Sequence, residues 1–386
     1  MIEAFIGGAA SMGVPRNEDF NGTDQSGAGY YQLNTSKGWR CSTASAFLKP
    51  ARGRSNLRIE TGAVATGIVF EGRRAVAVRY QQAGVLKEAR CTGEVLLAAG
   101  AIQSPQLLQL SGIGPRALLE RHGFALHVDA PEVGENLQDH LQIRLGYECT
   151  QHITTNDQLN SWLGRIRIGL QWLLFRQGPL AVGINQGGAF MHALPYEAQT
   201  PDIQFHVATL SADMAGGKVH PYSGFTLSVC QLRPRSRGHI RIRSSDPLEP
   251  PEIQPNYLAA AQDRHTIVAG VKAARAIAAS APMRPYVRRE VEPGPTVTDD
   301  TDLLEFCRNH GATIFHPVGT CRMGSDPGAV VDIRLRVNGV SGLRVVDCSV
   351  MPTLVSGNTH AAAVMLAEKA ADMIRDDAKA RFSQVS

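Results

Sequence analysis

The sequence has no paired-cysteine motif. Its seven cysteines (Cys41, Cys91, Cys149, Cys230, Cys307, Cys321 and Cys348) never fall as Cys-x-x-Cys, and their number is odd. This argues against a disulfide framework and against a structural zinc site, so no metal is expected, and it points to reduced thiols in a cytoplasmic chain. Long apolar runs are missing too. None approaches the ~20 residues a helix needs to cross a bilayer, so no transmembrane segment is expected. Residues 1–14 carry no basic stretch leading into an apolar one, as a secretory leader would. Nor is charge of one sign in excess: Lys plus Arg number 39, Asp plus Glu 35, and the formal net charge is +4. With no basic run of five or six, neither a nucleic acid nor an anionic membrane is indicated as a partner. Also absent is Gly-x-Gly-x-x-Gly, the turn that brings a dinucleotide pyrophosphate to a helix N-terminus; Gly27-Ala28-Gly29 lacks the third glycine and follows no buried strand.

What remains is an ordinary globular composition, 43% apolar and 19% charged over 386 residues, enough for two domains. Residues 1–40 read as irregular, broken by Gly7-Gly8, Gly13, Asn21-Gly22 and Lys37-Gly38. Alternation at 57–60, 68–70 and 75–80, with turns at Gly72 and Gly84, predicts a β-meander. The run Glu94–Gly100 predicts a buried parallel strand. Ser104 as N-cap and Pro105 at the first helical position predict a helix that Gly112 ends, and a second helix runs from Pro115 to Gly123. Apolar periodicity predicts helices over Trp162–Phe175, His265–Ala281 and about 359–376, and strands over 203–207, 225–232, 239–243 and 343–347.

Several of these segments resemble one family. Gly100 to Gly114, Val133-Gly134-Glu135-Asn136-Leu137-Gln138-Asp139-His140, Pro234 to Gly238, His316 to Gly324, Gly342 to Pro352 and Ser356 to Lys369 are similar, in order, to landmarks of the glucose–methanol–choline (GMC) flavin oxidoreductases. The resemblance runs from about residue 5 to 376. It implies an α/β fold: an FAD-binding Rossmann-type domain from 41–143 and 307–386, incomplete for want of the N-terminal dinucleotide-binding part. A substrate domain over 144–306 then has an antiparallel sheet backed by helices, after an irregular lead-in over 1–40. The family's opening Rossmann turn and its second signature are not found, so the chain reads as a member without its N-terminal portion.

The implied reaction is oxidation of an alcohol, with hydride passing to FAD and then to oxygen or a quinone. Such chemistry needs a base for the hydroxyl proton, and a histidine titrating near neutrality suits it. The resemblance places that base at His316, before a Pro-x-Gly turn. His310, six residues earlier, reads instead as a helix-end residue meeting the dipole. The second catalytic position falls on Asn358, which would bind the substrate oxygen and which could equally serve as a helix N-cap. The neighbouring His360 is out of register for that role. Cofactor contacts are implied at Ala65 (adenine region), Asp347 and Cys348 (ribityl and pyrophosphate), and Asn358 and Thr359 (isoalloxazine). Asp347 has a plain alternative, a strand-end carboxylate capping a turn. The helix beginning near Asn358 would aim its N-terminus at the reduced flavin's charge. Choline-oxidising members carry a Glu where Gln186 stands in Gln186-Gly187-Gly188-Ala189-Phe190; the neutral amide favours an uncharged aliphatic or sugar-like primary alcohol. The rival reading is a flavin-poor, catalytically silent fragment acting at most as a binding protein.

Overall fold

The computed structural model describes residues 1–193, 200–213 and 217–383, which form two compact units. The first comprises Met1–Arg58, Leu141–Arg233 and Ala261–Ala312. Its sheet is antiparallel in the order 27–30, 185–191, 203–208, 224–231, 141–149 and 287–292. Strands Ile203–Ala208 and Gly224–Gln231 are buried along their whole length, as strands covered on both faces must be. The helix Ala261–Ala279 lies on one face. Gly270 lets it approach, since a Cβ there would stand 2.9 Å from Val229. The helix Trp162–Phe175 occupies the span its periodicity predicts.

Residues 1–40 are not an irregular lead-in. Ile2–Ser11 is a helix, and Gly27–Tyr30 is the first strand of the sheet. Gly7-Gly8, read as breakers, sit inside the helix because they are contact points: a Cβ on Gly8 would stand 2.7 Å from Ser280 Oγ and 3.2 Å from Ile277. Close packing against the neighbouring helix offsets the ~1 kcal/mol that glycine costs a helix interior.

The second unit comprises Ile59–His140, Pro234–Ala260 and Thr313–Ser386. The meander is there: strands Ala63–Glu71, Arg74–Gln82 and Val85–Arg90 pair antiparallel, with Gly72 and Gly84 at positive φ. The alternating 57–60 stretch is not a strand, and its Leu57 and Ile59 are exposed, having no neighbouring strand to bond. Val95–Leu97 pairs in parallel with Leu343–Val345. Residues 234–260 join this unit through Gly134, whose carbonyl accepts from Ile240 N–H at 2.7 Å. That approach needs glycine: φ is +91°, and a Cβ would stand 2.1 Å from Ile240 O.

The helix after Val95–Leu97 starts earlier than Ser104-Pro105 suggested. It runs Gly100–Leu110, with Pro105 inside it. A proline there cannot donate to the carbonyl four residues back, Ala101 O. Thr320 Oγ1 donates to that carbonyl instead, at 2.6 Å in the core. Ser104, in place of capping, accepts from Ala99 N–H and donates to Asp347. Thr320→Val would keep the shape and orphan Ala101 O. We expect a loss of about 1–3 kcal/mol in urea unfolding; an unchanged midpoint would show that the carbonyl has another partner.

Candidate active site

His316 is buried, and its neighbours come from segments far apart in sequence. Asp139 Oδ1 accepts from the His316 backbone N–H at 2.9 Å. Asp139 Oδ2 accepts from the hydroxyls of Tyr257 and Thr313. One carboxylate therefore fixes the chain on both sides of residue 315. Phe315 itself sits at φ +64°, uncommon for a bulky residue, and its ring is 79% exposed. Gly319 follows at φ +95°, where a Cβ would stand 2.6 Å from Asn136 O, so only glycine completes this turn.

The segment Asn136–His140 also holds the loop that carries Asn358. Gln138 Nε2 donates to Pro352 O at 3.1 Å and Gln138 Oε1 accepts from Leu354 N–H at 3.1 Å. Asn136 Nδ2 donates to Gly319 O at 3.1 Å and to Pro352 O at 3.3 Å. Val318, Met351 and Leu354 pack together beneath the two loops. The resulting geometry sets Asn358 Nδ2 at 3.3 Å from His316 Nε2.

On the other side of the ring, His140 Nδ1 lies 3.0 Å from His316 Nδ1, with the two rings edge-on at 79°. An amide nitrogen only donates, so with Asn358 facing it, His316 Nε2 is the acceptor and its proton sits on Nδ1. His316 Nδ1–H then donates to the Nδ1 lone pair of fully buried His140. Burial pulls the His316 pKa below its ordinary value, against the opposing pull of the Asp139 charge. Burial thus disfavours the charged imidazolium here, and the ring turns its Nε2 towards Asn358.

The 24-residue helix His360–Ser383 starts beside this group. Thr359 O, directly before it, accepts from Ala363 N–H at 2.9 Å, so the capping position belongs to Thr359 and not to Asn358. The Asp347 carboxylate is committed to the protein. Its Oδ2 accepts from Gly100 N–H and Ser104 Oγ, and its Oδ1 from Ser349 N–H, so it caps two helical starts. Cys348 lies at the head of the short turn Cys348–Val350, and burial pushes its thiol pKa up. Ala65 is on the exposed edge strand of the meander. Gln186 is on the strand Asn185–Met191 of the first unit, where its carbonyl accepts from Tyr31 N–H at 3.0 Å. Neither Ala65 nor Gln186 is among the hydrogen-bond partners of His316, which are Asp139, His140 and Asn358. His310 ends the helix Asp300–His310, as its position suggested, and pairs with Glu292 at 3.0 Å. Sequence reasoning gave no role to Asp139, His140 or Tyr257. Asp139 and His140 lay within a recognised motif, but their function depends on residue 316, which no local pattern links to them.

Whether a flavin fits can be asked at each end of the molecule. At the ring end it fits: the Asn358 amide, the start of the helix His360–Ser383 and the buried His316 imidazole lie together. At the phosphate end, no strand–Gly-x-Gly-x-x-Gly–helix turn occurs among the described residues.

Residues 1–142 and 234–367 match the two sequence models of the GMC oxidoreductases. The chain belongs to that family, whose members are FAD-dependent flavoproteins. It is 43% identical over 378 residues to an alcohol dehydrogenase [acceptor] of Pseudomonas putida, covering 97% of this chain and 68% of that one. It is 42% identical over 379 residues to an oxygen-dependent choline dehydrogenase of Yersinia pseudotuberculosis, covering 97% and 66%. It thus spans about two thirds of the length of these curated relatives. Among solved structures, pyridoxine 4-oxidase from Mesorbium loti superposes with a TM-score of 0.84 at 31% identity, over 96% of this chain and 69% of that one. A formate oxidase of Aspergillus oryzae shares the fold, with a TM-score of 0.91 at 24% identity over 98% and 70%. No helix among the described residues is long and apolar enough to cross a membrane.

Proposed function

We propose that this chain is the alcohol-oxidising part of a GMC enzyme. In this reading it converts a primary alcohol, aliphatic or sugar-like, to an aldehyde, with His316 as base. The observation that carries the reading is the buried imidazole of His316 with Asn358 Nδ2 3.3 Å from its Nε2. A substrate hydroxyl placed there would give its proton to His316 Nε2, while the Asn358 NH₂ donates to the same oxygen and steadies the charge it gains. His140 would hold the tautomer that leaves Nε2 free. FAD, when bound, supplies the hydride acceptor at its N5. Asn358 and Thr359 would hold its ring, with Ala65 and the Asp347–Cys348 backbone further along the cofactor. The final acceptor is oxygen or a quinone. Gln186 carries no charge to meet a trimethylammonium, which favours a neutral alcohol over choline. Comparing kcat/KM for aliphatic alcohols and for choline tests that point, and faster choline turnover would overturn it.

The missing phosphate-binding turn favours a second reading, a chain that keeps the base and does not retain flavin, silent except for binding. The absorbance of the purified protein separates the two. On the first reading it shows flavin bands near stoichiometry, or acquires them on addition of FAD. A colourless protein that FAD does not reconstitute would leave only the second.

A further inference from the structure

Tyr257 reaches the base through another residue. It sits in the turn Asn256–Ala259, which Ala259 N–H closes by donating to Asn256 O at 3.2 Å. Asn256 has φ +54° and Leu258, the third residue of the turn, φ +59°. Asparagine tolerates that left-handed backbone. At the third position glycine or asparagine is usual, and a buried leucine is not. The turn is held from outside. Asn256 Nδ2 donates to Arg237 O at 2.9 Å, and Ala260 N–H to Ser236 Oγ at 3.1 Å. Arg237 Nε–H donates to Asn136 Oδ1 at 3.0 Å, and Leu137 and Gly238 exchange backbone hydrogen bonds at 3.0 and 2.9 Å. The motif Pro234 to Gly238 thus staples the turn to the chain just before Asp139.

So uncommon a backbone persists only where its surroundings over-determine it. What the turn delivers is a hydroxyl. Tyr257 donates it to Asp139 Oδ2, beside the hydroxyl of Thr313. Burial and the Asp139 charge push the Tyr257 pKa up, so the phenol stays a donor. A carboxylate oxygen offers roughly two acceptor sites, and these two donors fill both on Oδ2. Oδ1 is left for the His316 backbone N–H, at 2.9 Å. Turning the carboxylate end over end would break two charge-assisted hydrogen bonds. Thr313 by itself would satisfy Oδ2; the second hydroxyl fixes which oxygen faces His316. Thr313 Oγ1 also accepts from Phe315 N–H at 2.8 Å, so the left-handed Phe315 is gripped on both sides by groups bonded to Asp139.

We propose that Tyr257 is a positioning residue for the oxidation: through Asp139 it holds the backbone of His316, and with it the placement of His316 Nε2 beside Asn358. The proposal rests on the reading of His316 as base.

The test is Tyr257→Phe, which keeps the ring and removes the hydroxyl. Its kcat for alcohol oxidation should fall about tenfold with KM within about twofold of the parent's, since slight misplacement of a base acts on the chemical step. Asp139→Asn should cost more, and the double variant no more than Asp139→Asn alone, because Tyr257 acts through that carboxylate. A second readout needs neither flavin nor turnover. In protein carrying isotope-labelled histidine, the His316 backbone amide should exchange with solvent about tenfold faster in Tyr257→Phe. The amide of His206, in the sheet of the first unit, should keep the parent's rate, whereas a general loosening would speed both. If His316→Ala keeps the parent's activity, the base reading falls and this proposal with it. If His316→Ala is inactive while Tyr257→Phe matches the parent in kcat or in His316 exchange, the proposal alone falls. Additive losses in the double variant overturn it too, by giving Tyr257 a route that bypasses Asp139. In a protein that holds no flavin the exchange rates decide, and equal His316 rates in variant and parent overturn it.

Discussion

His316→Ala is expected to lower kcat/KM for alcohol oxidation by about 10²–10⁴, the contribution of a positioned general base. The loss should fall mainly on the chemical step, since the side chain is buried beside Asn358 and offers a substrate little apolar contact. The pH profile carries a second signature. Burial lowers the His316 pKa, so the base stays neutral below the 6.5 of an unperturbed histidine. Activity should persist through that pH and fall only as pH drops through the lowered value. The same shift acts on stability. The folded state resists protonation that the unfolded chain accepts, so this contribution is complete above 6.5 and declines as pH falls towards the folded value. In His316→Ala both acid limbs should flatten. A profile unchanged by the substitution would transfer the base to another residue. Nitrogen chemical shifts of the imidazole add a readout that needs no flavin. They should report a proton on His316 Nδ1, and His140→Phe should abolish that preference, because Nδ1 then has no acceptor.

Arg344→Ala should be the most destabilising single change, about 3–5 kcal/mol in chemical unfolding. The guanidinium is 1% exposed and bonds Glu94, Asp377 and the Arg334 carbonyl. Glu94 precedes the strand Val95–Leu97, Arg344 lies on its parallel partner, and Asp377 is on the C-terminal helix. The ion group therefore joins both strands to the helix His360–Ser383. Removing the cation takes from the Glu94 carboxylate the guanidinium that balances its charge in the interior, which is costlier than losing an exposed pair. A loss below about 1 kcal/mol would mean that water reaches and solvates the two carboxylates.

Local patterns were readable where local forces decide. The helix Trp162–Phe175, the parallel strand at 95–97 and the turns at Gly72 and Gly84 follow from periodicity and from glycine's access to positive φ. Two helix starts were not readable, for one reason: a partner distant in sequence overrode the local signal. Gly7-Gly8 looks like a break until the Ile277–Ser280 surface is seen pressing on it. Ser104-Pro105 looks like a helix start until Thr320 is seen satisfying the carbonyl that Pro105 abandons. The site divides the same way. His316 and Asn358 came from resemblance, and the geometry brings them within 3.3 Å. Their supports, Asp139 and His140, gain meaning only on folding. Asp347 offered a cofactor role and a capping role, and its hydrogen bonds show the cap.

The sequence separations inside the second unit have a consequence for the nascent chain. His140 meets His316 across 176 positions, and Arg344 meets Glu94 across 250. Val95–Leu97 has no parallel partner until Leu343–Val345 has been made. During synthesis, a ribosome adding about 5–20 residues per second would keep this strand waiting for roughly 10–50 seconds. Throughout that interval an apolar strand edge is open to mispairing. The sheet of the first unit faces a shorter wait. Only Val287–Glu292 and the two-residue Ala312–Thr313 come late, so that sheet should be largely assembled before His316 and Asn358 emerge.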